Sequence, residues 1–300
     1  MPPRSSSSSW SSQPARTHAG ERGRTDHRKP AREGGPVRYR ARVEYDGTEF
    51  AGFQAQPGRR TVQGELERAL AHLSGGGRVR ISAAGRTDAG VHATGQVIAF
   101  TWTEAMPAKR LGQAIGALLP RDVMIGPLRR VALDFDPRRA ATRREYRYSI
   151  WTGPRSPLRE RFAYGLDEHL DVEAMHAAAR HLVGEHDFSA FGRVTERSVR
   201  TLFEVRVRRQ GHLVTIDVIG DAFLRQMVRS IVAALIRIGM GRATAEDLVN
   251  ELRSPGRAFA GAVVPPHGLC LRRVAIGPPR RNMTTRKNDK GHEQDLHAEG

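Results

Sequence analysis

A single cysteine, Cys270, stands in 300 residues. One thiol excludes an intrachain disulfide and any zinc site built from several thiolates, and it fits the reducing cytosol. It also excludes the deaminase pattern of His-x-Glu with Pro-Cys-x-x-Cys. Long apolar runs are missing as well. The most apolar stretch, Phe223 to Met240, carries Arg225, Arg229 and Arg237, so it reads as a core helix from about Leu224 and not as a membrane span. No apolar segment follows the Ser- and Arg-rich N-terminus, so no secretory signal is expected. There is no Gly-x-x-x-x-Gly-Lys-Ser/Thr phosphate loop, no dinucleotide fingerprint after a strand and no Gly-x-Ser-x-Gly elbow. Acidic residues are few beside basic ones: 32 Asp and Glu against 49 Lys and Arg.

The resulting net charge of +17 favours an anionic partner, either nucleic acid or an acidic membrane surface. Residues 1–36 account for +4 of it and residues 280–300 for +1, which leaves +12 on the body. The basic character therefore belongs to the part that folds. Residues 1–36, with the serine run Ser5 to Ser9, and residues 277–300, from about Pro278, lack periodicity and are expected to be disordered tails.

The body mixes two periods. Val37, Tyr39, Ala41, Val43 and Tyr45 alternate with charged residues, which predicts a strand with one buried face. Asp46-Gly47 signals a turn. Val62, Leu66, Ala69, Leu70 and Leu73 share a helical face behind an N-cap at Thr61, and Gly75-Gly76-Gly77 closes that helix. Val79 to Ile81 and Val97 to Phe100 read as strands around a glycine-bearing loop. Further on come an alternating strand at Tyr146, Tyr148 and Ile150, a helix capped by Asp171, and a hairpin turning at Gln210-Gly211. The long apolar helix and a last helix with a Thr244–Asp247 capping box follow. Hairpins together with interposed helices predict an α+β fold with a largely antiparallel sheet.

The loop is Gly85-Arg86-Thr87-Asp88-Ala89-Gly90-Val91-His92. Its glycines permit tight backbone, and Arg86 and Asp88 point the same way if it is extended. An acid held beside a cation in a cleft fits that spacing. So does an aspartate closing an Asx-turn beside a surface arginine.

Gly85 to Ala93 resembles the signature around the catalytic aspartate of the tRNA pseudouridine synthase A family, and Gly95-Gln96-Val97 continues it. Six further stretches resemble that family in order: Tyr45-Asp46-Gly47-Thr48 with Gly52-Phe53-Gln54, Thr61 to Glu67, Tyr146-Arg147-Tyr148, His186-Asp187-Phe188 with Val199-Arg200-Thr201, Gly220-Asp221 with Phe223-Leu224 and Met227-Val228-Arg229, and Pro265 to Leu269. Together they span about residues 38–275. Two departures stand out. Phe135-Asp136-Pro137-Arg138 replaces the usual Phe-His-Ala-Arg, and Cys270 stands where an aromatic residue is common.

The resemblance implies two similar ferredoxin/RRM-like halves, 37–135 with the aspartate loop and 136–276 with the tyrosine strand and arginine helix. It implies one mixed, largely antiparallel sheet flanked by helices, with a basic central cleft. It also implies a cytoplasmic homodimer that isomerises uridines 38–40 of the tRNA anticodon arm, without metal, nucleotide or other cofactor. Asp88 would be the catalytic carboxylate, ion-paired to Arg229, and Tyr146 would stack on the flipped base and could accept the C5 proton. Arg86 would hold the uridine out of the helix and Leu269 would line the pocket. Arg138, Arg143, Arg144 and Arg200 are candidate phosphate contacts. A carboxylate could attack C1′, add to C6 or remove a sugar proton, and the residues leave these three open. A non-catalytic tRNA-binding or chaperone protein on the same fold, or a synthase for another RNA, is the alternative.

Overall fold

The computed structural model describes residues 35–194, 197–254 and 261–277. The expected tails, 1–36 and 277–300, lie outside them apart from residues 35, 36 and 277.

The first strand, β1 (Val37–Tyr45), buries Tyr39, Ala41, Val43 and Tyr45, as its alternation predicts. Helix α1 (Val62–Leu73) begins where the Thr61 hydroxyl accepts the Gly64 N–H at 3.2 Å, and it sets Val62, Leu66, Ala69 and Leu70 inward. A short strand, a long strand and a helix follow: β2 (Ser82–Ala83), β3 (His92–Trp102) and α2 (Ala108–Leu118). The strand expected over Val79–Ile81 does not form. Pairing to β3 begins only at Ser82, because the Ile81 N–H donates to the Glu67 carboxylate at 3.0 Å and is thus taken by helix α1. Helix α2 had no forecast from its sparse periodicity, yet Leu111 and Ile115 are fully buried.

Strands β4 (Val123–Ile125) and β5 (Arg129–Val131) both pair with β1. The turn α3 (Pro137–Ala140) leads into β6 (Ala141–Trp151), then α4 (Pro157–Glu160) and β7 (Tyr164–Gly165). The Asp136 carboxylate accepts the N–H groups of Arg138 and Arg139, so an N-cap explains an aspartate at this point. Next come α5 (Val172–Ala179), capped by Asp171, β8 (Gly184–Asp187), β9 (Val199–Gln210) and β10 (Leu213–Gly220). Helix α6 (Met227–Gly239) is buried on most sides, and α7 (Ala245–Arg253) carries the Thr244–Asp247 capping box. Strand β11 (Leu269–Ile276) ends the described chain.

Helix α6 starts three residues later than its apolar pattern suggests. Gln226 lies in the left-handed region at φ 67°, which a helix cannot contain, so the turn at Leu224 is cut off from it.

The strands form one sheet in the order β4-β1-β3-β11-β6-β10-β9-β8, with β2, β5 and β7 on β3, β1 and β6. Pairing is antiparallel except for β3 with β11 and β6 with β7. The fold is therefore α+β, a mixed and largely antiparallel sheet flanked by helices. The expected halves, 37–135 and 136–276, share this sheet, and β11 lies between β3 of the first and β6 of the second. Burying each large core side chain contributes roughly 1.5–3 kcal/mol.

The seam between β3 and β11 is short, with Cys270 opposite His92 and Leu271 opposite Ala93. Just beyond it Gly95 meets the backbone of Arg272. A Cβ there would stand 2.2 Å from the Arg272 carbonyl oxygen. Backbone cannot swing aside as a flexible side chain can, so Gly95→Ala is expected to destabilise the protein by about 1–3 kcal/mol. Urea unfolding of variant and parent checks this, and an unchanged midpoint would contradict the seam's tightness.

Candidate active site

The loop between β2 and β3 is held from both sides. The Thr87 hydroxyl meets the Tyr45 hydroxyl at 2.8 Å in the core. The Phe53 N–H donates to the Thr87 carbonyl at 3.1 Å, and the Gly90 N–H to the Phe50 carbonyl at 3.3 Å. The Gln96 amide donates to the Gly85 carbonyl, and Arg144 donates to the Ala84 carbonyl at 2.7 Å. Gly90 has φ +75°, and Gly52, at φ +100°, lies so close that a Cβ would be 3.0 Å from the Thr87 carbonyl oxygen. With Thr87 anchored inward, Arg86 and Asp88 are left on the outer side, Arg86 exposed and Asp88 partly so.

Two guanidinium groups flank Asp88. Arg229 Nη1 lies 3.6 Å from Oδ2, and Arg225 Nε lies 3.6 Å from Oδ1. Both distances exceed a hydrogen bond, so each contact is electrostatic attraction without a shared proton. The two cations differ in setting. The Arg229 side chain is 13% exposed and its Nε donates to the Val264 carbonyl at 2.8 Å, whereas the Arg225 side chain is 63% exposed. Solvent screens the Arg225 pair, and pairs of that kind contribute about 0–1 kcal/mol. Arg229 also stands in the first turn of α6, at the positive end of the helix dipole, with no acidic residue in that turn. A cation there is unfavourable unless an anion neutralises it, and Asp88 does so.

The remaining expected residues divide. Tyr146 is nearly buried, edge-on to Phe223 at 5.1 Å, and burial pushes its hydroxyl up to about 12. Tyr148 on the same strand face is fully buried and donates to the Pro265 carbonyl at 2.9 Å. Leu269 is buried directly opposite Tyr148 on β11. Leu271, directly opposite Tyr146, was not singled out by its sequence context. Arg138 is exposed, and Arg144 reaches its carbonyl at 3.5 Å.

Three arginines do not fit a phosphate-facing role in this cleft. Arg144 is committed to the carbonyls of Ala84 and Asp221, and burial lowers its pKa. Arg143 lies on the opposite face of β6 from Tyr146, over the ring of Phe203. Arg200 is half-buried and donates to the Val199 carbonyl at 2.7 Å. Arg225 was overlooked, although it stands four residues before Arg229. That spacing is not a helical one here, since the left-handed Gln226 intervenes.

His92, at the end of the loop, supports it from below. The Gly47 N–H donates to Nδ1 at 3.0 Å, so Nδ1 carries no proton, and Nε2 faces the His267 carbonyl at 3.1 Å. An Asp46 oxygen lies 3.1 Å from the same Nδ1 and favours protonation, but burial outweighs it and holds His92 below the usual histidine range. Burial works against the Asp46 carboxylate too, yet hydrogen bonds from Thr48 and Arg161 keep it below the usual aspartate range. His267 is also held low, first by burial and then by His92. Among the described residues, no three His, Cys, Asp or Glu side chains gather as a metal ion requires. No described helix is long and apolar enough to cross a membrane.

A family model described as tRNA pseudouridine synthase matches residues 41–138 and 178–275. The chain is similar to tRNA pseudouridine synthase A of Shouchella clausii, at 44% identity over 81% of this chain and 94% of that one. It is 40% identical to tRNA pseudouridine synthase A of Anoxybacillus flavithermus, over 79% and 98% of the two chains. Among solved structures, a Cbf5-Nop10-Gar1 complex is matched at 10% identity and a TM-score of 0.28, over 66% of this chain and 54% of that one, a likeness too slight to bear on the fold.

Both histidines have folded pKa values below the unfolded value of about 6.5. Protonation therefore favours the unfolded chain. Their contribution is complete above pH 6.5 and declines as the pH falls from 6.5 toward the lowered folded values. The melting temperature is expected to drop between pH 7.5 and pH 5, before the carboxylates titrate. A flat profile by differential scanning fluorimetry would contradict this.

Proposed function

The chain belongs to the tRNA pseudouridine synthase family, enzymes that isomerise uridine in tRNA, and we propose that it acts on positions 38–40 of the anticodon stem-loop with Asp88 as the reacting carboxylate. The observation that carries this reading is the Asp88 carboxylate held between two guanidiniums on a loop anchored to the core.

The reaction breaks the bond from uracil N1 to ribose C1′ and rejoins the base through C5, which then loses its proton. Attack on C1′, addition to C6 and removal of a sugar proton all require an ionised, oriented Asp88. Arg229 orients the carboxylate, because its own position is set by the Val264 carbonyl. The base must leave the RNA stack to be reached. The ring of Tyr146 replaces the lost stacking, an effect of about 1–3 kcal/mol per base. Its hydroxyl stays protonated at neutral pH, so at C5 it serves as a relay that gives its own proton to solvent water as it takes the one leaving C5. Leu269 forms apolar wall, Arg86 keeps the uridine out of the stack, and Arg138 contacts phosphate.

The proposal extends to a cytoplasmic homodimer with tRNA across both subunits. Family membership supports it, and the exposed Leu158 and Phe162 supply apolar surface for such a contact.

Unmodified tRNA carrying C5-tritiated uridine tests the core of this reading. The protein is expected to release tritium, and Asp88→Asn to slow release at least about 100-fold. No release, or release indifferent to that substitution, sinks it, and mapping of the product checks the positions. Arg229→Lys is expected to lower turnover more than RNA affinity, and equal loss of both would count against its role. For Tyr146→Phe, affinity should stay within about twofold because the ring still stacks. Release from bound RNA should slow on the order of 100-fold without the relay. Unchanged release would leave the ring with stacking alone.

A further inference from the structure

We infer that Arg225 is a displaceable counter-ion of Asp88: it holds Oδ1 in the free enzyme and moves to a backbone phosphate of the tRNA when the uridine enters. The inference rests on the proposed role of Asp88.

Both carboxylate oxygens face a guanidinium in the free protein, each at 3.6 Å. To reach the nucleoside, Asp88 needs one oxygen uncovered. Arg229 is poorly suited to leave, being shielded and tethered through its Nε to the Val264 carbonyl. Arg225 is the exposed partner, and its hold on Oδ1 is screened by solvent. The geometry thus distinguishes Oδ1 as the oxygen that becomes free and Arg225 as the group that frees it.

The backbone of Arg225 is built to stay while its side chain moves. Gln226 beside it takes a left-handed conformation, the only non-glycine with positive φ among the described residues. The Arg225 carbonyl accepts the Arg193 N–H at 3.1 Å, in an isolated antiparallel bridge. Residues opposite each other in such a bridge project their side chains to the same face, about 5 Å apart at Cβ, and like charges so placed repel. Arg193 is exposed too. Two exposed arginines on bridged backbone, with side chains sent to one face, are a poor arrangement for an empty protein and a good one for a phosphate, whose oxygens can accept from both. On entry the RNA supplies that anion, and the ion pair at Oδ1 is exchanged for one with phosphate.

This assignment gives the two arginines of Asp88 opposite kinetic signatures, with Arg229 affecting the rate and Arg225 affecting the binding. Single-turnover tritium release, followed against enzyme concentration and salt, reads both. Arg225→Gln is expected to raise the half-saturating enzyme concentration on the order of tenfold, as loss of one charged hydrogen bond does. The slope of log affinity against log salt should shrink by just under one. The maximal rate should stay within twofold of the parent or exceed it. Arg225→Lys should restore the slope, and Arg193→Gln should repeat the signature of Arg225→Gln. A maximal rate that falls more than twofold in Arg225→Gln, or a salt slope that stays at the parent value, overturns the inference. Asp88→Asn run in parallel separates the levels. If that variant keeps its activity the underlying reading fails, whereas loss of its activity beside an unaltered slope in Arg225→Gln removes only the counter-ion exchange.

Discussion

Strand β11 separates β3 from β6, and neighbouring strands stand about 4.8 Å apart. The two halves of the sheet therefore face each other at the seam across about 10 Å of backbone. That interval sets the scale of the site. Asp88 arrives just before β3, Tyr146 projects from β6, and Leu269 and Leu271 stand on the strand between. The chain entering β11 also supplies the Val264 carbonyl that fixes Arg229. Besides β11, Arg144 links the same two halves by donating to the carbonyls of Ala84 and Asp221, so the separation of the carboxylate and its shielded cation is set from both sides. The close approach of Gly95 to the Arg272 backbone shows how little slack the seam has.

Within that frame the electrostatics follow from exposure. A carboxylate held equally by two cations has neither oxygen free for a substrate, and one with no cation would be free to swing away. Burial makes the two partners unequal. Arg229 is enclosed and tethered, while Arg225 is in water. The loop itself is kept rigid by neutral contacts, such as the Thr87–Tyr45 hydroxyl pair and the backbone bonds to Phe50 and Phe53. The position of Asp88 therefore does not depend on the ion pairs that its chemistry must alter.

Much of this was legible in the sequence where a local rule governs. The alternation of β1, the Thr61, Asp171 and Thr244 caps and the β9–β10 hairpin are all short-range patterns, and each stands where it was expected. Asp88 was legible only through the company of its motif, since its own spacing fits a turn equally well. What escaped notice depends on contacts distant in the chain. Helix α2 hides a weak apolar face that matters only once the sheet is there to cover it. Leu271 meets Tyr146 through a register that no local pattern encodes. The start of α6 was misplaced because an apolar run does not reveal a left-handed residue within it.

Charge shows the limit of composition most clearly. A body of +12 favours an anionic partner, and the family resemblance implies a basic cleft. Many of the body's guanidiniums are instead structural. Arg38 donates to the Phe135 carbonyl and to Ser82 and Thr101, Arg144 ties the aspartate loop to the end of β10, and Arg147 and Arg208 share Asp217. A guanidinium that already satisfies backbone carbonyls cannot turn to a phosphate without leaving buried acceptors unpaired, at about 1–3 kcal/mol for each. Net charge draws RNA toward the protein from a distance. Which arginines then hold it is decided by what each one would abandon. By that measure Arg193 and Arg225, both exposed and joined by a backbone bridge, are far better placed than the half-buried Arg144 and Arg200, which are already bonded to carbonyls.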